Sequence, residues 1–209
     1  MRTLALLLAV LAAAPCGCGE PEPAAPAWPE GTAVVLAGLP ITVAEVDAHV
    51  DAVLAIQPSY SLEQRRRIVL MNWSFPRALG AAMGGERRDA ALEQAGSWRT
   101  GLLHGTHELG EASEQIGNWD MIGFELWLVA RDLEVGEVSE PVELPGRYAV
   151  LRLEQRDGNP RPAFEYLRLR VAEFPFVDDP EALLTNETAD RLEIVDPAWV
   201  EIVPGIYKY

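Results

Sequence analysis

The sequence predicts an α+β protein, with helices in its first part and an antiparallel sheet in its second. Up to about residue 132, the apolar residues mostly recur at the spacing of amphipathic helices. From residue 138 to 176 they alternate, as along half-buried strands, with turns at residues 145–146 and 156–162. A chain of 209 residues, 49% of them hydrophobic, can bury one domain with appendages or two small domains.

Residues 1–17 resemble the signal peptide of a bacterial lipoprotein. Arg2 supplies a positive charge, and residues 4–14 form an apolar run too short to cross a bilayer as a mature helix. Cys18 follows a glycine, as the acylation motif prefers, so we expect Cys18 to carry the lipid. Two alternatives stay open, which are acylation of Cys16 and a plain secretory signal with incidental cysteines.

Residues 18–31 predict an extended, solvated tether, because proline recurs throughout "GEPEPAAPAWPEG". Such a tether would hold a folded domain a few tens of ångströms from a membrane surface, at roughly 3 Å per residue.

The remaining composition excludes several classes of function. The chain has only two cysteines, Cys16 and Cys18, and both precede the predicted folded part, which therefore has no disulfide and no cysteine metal site. The net charge is −15, and no basic patch is interleaved with aromatic residues, so the sequence does not predict nucleic-acid binding.

Residues 32–85 predict a small helical module that begins with a strand at residues 32–37. Thr42 and Glu45 have the spacing of a capping box, so we expect a helix from there to about residue 56, before Pro58.

The spacing of Ser61 and Gln64 repeats the capping box and predicts a second helix. Pro76 should break or restart this helix, and the glycines at 84–85 should end it.

Residues 86–176 predict a second domain. Its predicted elements are helices at 86–103 and 124–132 and strands at 116–121, 138–143, 148–154 and 164–176. Residues 177–209 predict a C-terminal extension with a helix at 181–192. Its last part, "VDPAWVEIVPGIYKY", is aromatic and apolar, so it should dock on the body of the protein.

Two stretches resemble one known family. "VVLAGLPITVAEVDAHV" is similar to the G-x-x-I-T-x-x-E-[VL]-D opening of the helical N-terminal domain of SurA-like periplasmic chaperones. "IGNWDMIGFELWLVARDLEVGEVSEPVELPGRYAVLRLEQRD" resembles the second half of a parvulin (PpiC-type) domain, with its G-x-W strand, helix, G-E-V-S-E-P-V element and final strand. Together they cover about a third of the chain.

The resemblance implies a peptidyl-prolyl cis–trans isomerase, or rotamase, that acts as a foldase in the bacterial envelope. The family usually opens its domain with an H-I-L strand and keeps a second histidine in the final strand. Here no H-I-L strand precedes the helix at 86–103, and Ala149 stands at the position of the second histidine. We therefore expect weakened catalysis, and the sequence leaves open whether any activity survives.

By the same resemblance, an apolar cup would bind the proline of an extended peptide. Its expected lining residues are Trp119, Met121, Ile122, Leu126 and Trp127. The alternative for each of them is an ordinary core residue.

The resemblance also raises the question of how the sheet is completed. In the family the first and last strands are antiparallel neighbours, and the first strand is missing here. We expect residues 164–174 to pair with residues 148–154 as a hairpin and so fill the vacant place, as in a circular permutation. The alternative is that residues 67–73 form the first strand.

Two other classes of function stay open. One is a non-enzymatic chaperone or assembly module that binds extended peptide. The other is a metal-binding lipoprotein, for which the only local cluster is that of His104, His107, Glu108 and Glu111, in a spacing unlike that of a zinc protease. We predict no cofactor and no resident metal. The expected partners are unfolded, proline-containing polypeptides, and the expected location is the periplasmic or outer face of the envelope.

Overall fold

The computed structural model describes residues 28–108, 112–179 and 192–205. It confirms the α+β class, because several helices pack against two antiparallel sheets. Within the described residues, no helix has both the length and the apolar character needed to cross a membrane.

The first sheet joins the two ends of the described chain. Its strands are β1 (Thr32–Leu36), β2 (Leu39–Thr42) and β7 (Leu192–Ile194), in the order β2-β1-β7. Ala37 and Gly38 both have positive φ, at 54° and 82°, which suits a two-residue hairpin turn between β1 and β2. The strand predicted at 32–37 is confirmed. Most of the helix predicted at 181–192 lies outside the described residues, and its last residue belongs to β7 instead.

The first predicted helix is divided into α1 (Val43–Asp47) and α2 (Val50–Ile56). The capping box is confirmed, because the Glu45 N–H donates to Thr42 Oγ1 while the Glu45 carboxylate accepts from the Thr42 N–H. The prediction of one unbroken helix is wrong. His49 interrupts it with φ −114° and ψ 0°, in a stretch of valine, aspartate and histidine whose helix propensity is low.

Two long helical segments follow. The first comprises α3 (Leu62–Val69), a π-helical segment (Leu70–Ser74) and α4 (Phe75–Gly84), which together we call the α3 rod, and it is followed by α5 (Glu86–Leu103). The capping box at Ser61 is confirmed. Pro76 does not break the rod as predicted. Pro76 has no N–H to donate to the Asn72 carbonyl oxygen, and its ring would crowd that oxygen in a regular α-helix. The wider π-helical turn just before Pro76 accommodates both effects without ending the rod.

The second sheet contains four antiparallel strands in the order β3-β6-β5-β4. They are β3 (Ser113–Gly117), β4 (Val142–Leu144), β5 (Arg147–Asp157) and β6 (Tyr166–Pro175). The predicted hairpin between residues 148–154 and 164–174 is confirmed, with Leu151 opposite Val171. Residues 67–73 are helical, so the alternative pairing is wrong.

Two predicted strands of this region have different bounds. The strand predicted at 116–121 ends at Gly117, because the Asn118 side chain accepts from the Asp120 N–H and begins the short helix α6 (Trp119–Ile122). The predicted strand at 138–143 is paired at Val138 and again from Val142, with Pro141 between them. The helix predicted at 124–132 is confirmed as α7 (Phe124–Ala130).

The C-terminal extension docks on the helical module, as the sequence predicts. Trp199, Ile202 and Val203 are all at most 2% exposed. Arg67 of α3 donates hydrogen bonds to the carbonyl oxygens of Glu201 and Ile202. The module at residues 32–85 is thus completed by residues 192–205, which supply both a strand and part of its core.

Candidate peptide-binding groove

A groove of about 550 Å³ opens between the helical module and one end of the second sheet. This volume falls in the range of known ligand sites. The residues that line it are Val53, Ile56, Gln57, Tyr60, Ile68, Asn72, Trp119, Asp120, Gly123, Phe124 and Phe164. Four separate parts of the chain therefore build the groove, namely α2 with the loop after it, the α3 rod, the α6–α7 pair and the short 3₁₀ helix Pro162–Phe164.

The α6–α7 pair supplies one aromatic wall. Asn118 caps α6, and Gly123, at φ 87° and ψ 149°, turns the chain sharply into α7. Because a residue with a side chain rarely adopts that backbone conformation, a glycine is needed between Trp119 and Phe124. The Trp119 Nε1 is buried and has no hydrogen-bond partner among the described residues.

The opposite wall is aliphatic. Val53, Ile56 and Ile68 come from α2 and α3, and Tyr60 at the rim is 37% exposed. The Asn72 side-chain amide donates to the Ile68 carbonyl oxygen at 2.9 Å, so its amide nitrogen is already engaged. Among the lining residues only Asp120 carries a charge, which makes the groove apolar with one acidic group.

The structure separates the five residues that the sequence assigned to a peptide site. Trp119 lines the groove. Met121 is 60% exposed and packs beside Gly117. Ile122, Leu126 and Trp127 are core residues with at most 7% exposure, as the alternative interpretation had it.

Several groove residues were not foreseen from the sequence. Tyr60 lies in the connection between two predicted helices, and Phe124 begins α7. Phe164 was predicted to begin a strand, but it ends the short 3₁₀ helix before β6. For Tyr60 the local signal is an aromatic residue in a polar connection, since such a residue needs an apolar neighbour or a ligand.

The surroundings of Ala149 leave no open cup at that position. Ala149, Leu151 and Leu153 share one face of β5, and each is fully buried. On this face α7 contacts β5, and Glu125 of α7 approaches Arg147 to 3.9 Å. The other face is covered by α5, whose Trp98 ring lies 6.3 Å from that of Phe174.

A second, smaller cavity of about 240 Å³ lies between β2, α4 and β4. Its polar part is an ion-pair cluster in which Arg88 binds Glu143 through two contacts of 2.8 Å and Arg77 approaches the same carboxylate to 3.5 Å. The Arg77 guanidinium also lies 4.9 Å from the centre of the Trp73 ring. These contacts join α4, α5 and β4, which gives the cluster a structural role.

His49 lies beside this cluster, with its ring edge-on to Trp73 at 5.2 Å. Burial lowers the pKa of His49 below its usual value of 6.5, and the positive charges of Arg77 and Arg131 lower it further. Asp132 acts weakly in the opposite direction. Burial and the two positive charges both favour the neutral form of the imidazole at the break between α1 and α2.

The histidines after α5 do not converge on a metal site in the part of the chain that is described. There, no group of three or more histidine, cysteine or acidic side chains is placed to bind a metal ion. The His104 Nδ1 lies 2.8 Å from the Thr100 carbonyl oxygen, and the His107 ring packs against Gly101. Glu111 lies outside the described residues.

Comparisons with family models, with curated proteins and with solved structures find no match for this chain.

Proposed function

We propose that this protein is a parvulin-like foldase of the bacterial cell envelope, which binds extended, proline-containing polypeptide in the groove and has little isomerase activity. The observation that carries the proposal is the groove itself, which is open, large enough for several side chains and lined by Trp119, Tyr60, Phe124 and Phe164. Aromatic and aliphatic walls of this kind suit the ring of proline and other apolar side chains.

The strand order supports the parvulin-like part of the proposal. The family places its first strand beside its last one, and here β6 pairs with β5 along nearly its whole length. In this interpretation β6 replaces the missing first strand, as in a circular permutation. The replacement also gives the apolar strand β5 a neighbour on each side, and so removes an edge that would invite aggregation. The SurA-like part of the proposal rests on the motif from Gly38 to Asp47, which spans the turn, β2 and α1.

The surroundings of Ala149 support weak catalysis. Rotation about an X-Pro bond crosses a barrier of about 18–20 kcal/mol, and an enzyme lowers that barrier by binding the twisted amide more tightly than the planar one. A packed core at Ala149 gives substrate no access to the position at which the family carries a histidine. Binding without turnover, as in a chaperone or assembly module, is therefore the form of the function that the geometry favours.

The proposed cellular arrangement follows from the N-terminal sequence. A lipid on Cys18 and the proline-rich residues 18–31 would hold the folded domain near the membrane, facing the periplasm or the exterior. Clients would then be polypeptides that have just crossed that membrane.

Peptide binding can be tested with a pair of matched variants. Tyr60 and Leu54 are both 37% exposed, but only Tyr60 lines the groove. A carboxylate at the rim should repel apolar ligand, so Tyr60→Asp should weaken the binding of an unstructured proline-containing peptide about ten-fold or more, and Leu54→Asp should not. Fluorescence anisotropy of a labelled peptide measures both. A charge at Leu126 would not test peptide binding, because Leu126 is buried and Leu126→Asp would destabilise the core.

Isomerisation of a short X-Pro peptide is measured on the same protein. We expect a rate close to that of the uncatalysed reaction. A peptide that fails to bind, or that binds equally to the Tyr60→Asp variant, would refute the proposed groove. Turnover typical of an active isomerase would refute the claim of weak catalysis.

A further inference from the structure

Strand β3 forms one edge of the second sheet, and its outer side is open in the described structure. It pairs with β6 on one side only, with Ile116 opposite Arg168 and Gly117 opposite Leu167. Among the described residues, its outward N–H and C=O groups make no backbone hydrogen bond. A strand edge of this kind can accept a further strand from another chain.

The sequence of β3, "SEQIG", contains little of the usual protection of an edge. It has no proline and no lysine, and its one charge, on Glu114, is engaged with Arg170 at 3.3 Å. Exposed apolar side chains flank the strand on both faces. Ile116 is 45% exposed on one face of the strand. On the other face, a β-carbon at Gly117 would point at Met121, which is 60% exposed. An added strand projects side chains to both faces, so both exposed groups would gain a neighbour.

The end of β3 is close to the groove along the chain. Gly117 ends β3 and Trp119 lines the groove, so the two lie within about 7 Å of each other along the chain. A segment that pairs with β3 and extends past Gly117 would come near Trp119.

The charge of the site indicates the chemistry of that segment. Asp120 is the charged residue of the groove lining, whereas the charge of Glu114 on the edge strand is already engaged with Arg170. The protein as a whole carries 32 acidic and 17 basic residues, and a net charge of this size attracts cations and repels acidic chains over several ångströms.

We propose that the client of this site is an extended polypeptide segment of alternating apolar and basic residues, which adds a strand to the free edge of β3 and inserts an apolar side chain into the groove around Trp119. This inference rests on the proposed function and adds to it the binding mode and the class of client. Backbone pairing provides affinity for many sequences, whereas the charge and the groove select among them.

The experiment compares three peptides on the full chain by fluorescence anisotropy. The first is acetyl-Val-Lys-Val-Lys-Phe-Lys-Val-Lys-Val amide, the second has glutamate in place of each lysine, and the third is the lysine peptide with N-methyl groups on its three central residues. N-methylation removes the N–H donors on both edges of a strand but keeps the side chains. We expect the lysine peptide to bind about ten-fold or more tightly than either of the others, and to bind more weakly as salt rises.

A matched pair of substitutions tests the charge. Asp120→Asn should reduce the preference for lysine over glutamate several-fold, and Asp51→Asn, on the exposed side of α2 and outside the groove, should leave it unchanged. Equal binding of the lysine and N-methylated peptides would overturn the strand pairing while leaving the proposed groove intact. Failure of all three peptides to bind would overturn the inference, whereas the proposed groove is decided separately by the proline-containing peptide and the Tyr60→Asp variant. A dimer in sedimentation that dissociates when the lysine peptide is added would assign the edge to a second copy of this chain, and would also overturn the inference.

Discussion

The Arg67 guanidinium lies 2.9 Å from the carbonyl oxygen of Ile202 and 2.5 Å from that of Glu201, and so ties α3 to the C-terminal extension. Arg67→Met removes both hydrogen bonds but keeps much of the aliphatic side chain. Because the site is partly solvated, we expect a loss of about 1 kcal/mol in the free energy of unfolding, measured with urea. Arg65→Met, two residues away on the same helix, is the control and should change stability by less than about 0.5 kcal/mol. Equal losses would show that the contact with the extension contributes nothing.

Ser139 should be a structural residue of the G-E-V-S-E-P-V element. Its buried hydroxyl accepts a hydrogen bond from the Leu151 N–H at 2.9 Å, and its own N–H donates to the Leu151 carbonyl oxygen. Ser139→Ala would leave the Leu151 N–H unsatisfied, so we expect a loss of about 1–3 kcal/mol in the free energy of unfolding. Ser97→Ala on the exposed side of α5 should be neutral or slightly stabilising. A neutral Ser139→Ala variant would contradict this role.

Gly80 and Gly96 should respond in opposite ways to the same substitution. A β-carbon at Gly80 would lie 2.6 Å from the backbone nitrogen of Gly146, in the turn between β4 and β5. Gly80→Ala must therefore displace backbone, and we expect a loss of about 1–3 kcal/mol or more. Gly96, inside α5, has open space around it, so Gly96→Ala should stabilise the protein by about 0.5–1 kcal/mol. Thermal unfolding of both variants decides the matter, and a stable Gly80→Ala protein would be inconsistent with the close approach of α4 to this turn.

His49 should make the protein less stable in weak acid. Its folded-state pKa is lowered below 6.5, first by burial and then by Arg77 and Arg131, so the unfolded chain binds a proton more readily than the folded one. The stability that the protein has with His49 neutral is complete above pH 6.5, and it is lost as the pH falls below that value and the unfolded chain takes up a proton. His49→Phe keeps a ring beside Trp73 and should remove this part of the pH dependence.

The measurement is the free energy of unfolding of the wild type and the variant between about pH 7.5 and about pH 5. His104→Gln is the control, because that ring is exposed near the end of α5. If the His49→Phe variant loses stability over this range as steeply as the wild type does, His49 is not the group responsible.

Cys18 should carry the lipid anchor. Gly17 directly precedes it, as the acylation motif prefers, and Cys16 lacks this context. Expression in a bacterium followed by mass spectrometry of the mature N-terminus should show an acylated Cys18. Cys18→Ser should release the protein from the membrane fraction, whereas Cys16→Ser should not. An unmodified N-terminus beyond residue 18 would contradict the prediction.

Local interactions explain which parts of the fold could be predicted from the sequence. Both capping boxes involve hydrogen bonds between residues three positions apart, so Thr42 with Glu45 and Ser61 with Gln64 were visible in the sequence itself. The β5–β6 hairpin was equally visible, since alternation on both sides of a short, turn-rich connection implies pairing. Strand β7 could not be predicted, because three residues are too few to show an alternation of apolar and polar side chains. Its partner β1 also lies at the other end of the described chain.

Of the five residues that the sequence assigned to a peptide site, only Trp119 lines the groove, for a similar reason. The periodicity of α7 identifies Leu126 and Trp127 as apolar, but it does not tell whether a groove or a core will cover them. The groove arises where four distant parts of the chain meet, and only tertiary packing brings Tyr60 and Phe164 to the same opening as Trp119. The break at His49 was missed because the low propensities there are weak individually and decide the outcome only together with packing.

The position of β1 between β2 and β7 has a consequence for the order in which the protein folds. Val34 is synthesised early and Ile194 late, yet the two are paired in the finished sheet. Contacts of such high sequence separation form slowly, and a chain that emerges from its N-terminus delays this one further. Until residues 192–194 appear, the fully buried strand β1 has a partner on one edge only, and its apolar residues are available to other chains. Chains that stop before residue 192 should therefore aggregate, and the nascent protein would itself be a client for chaperones during that interval.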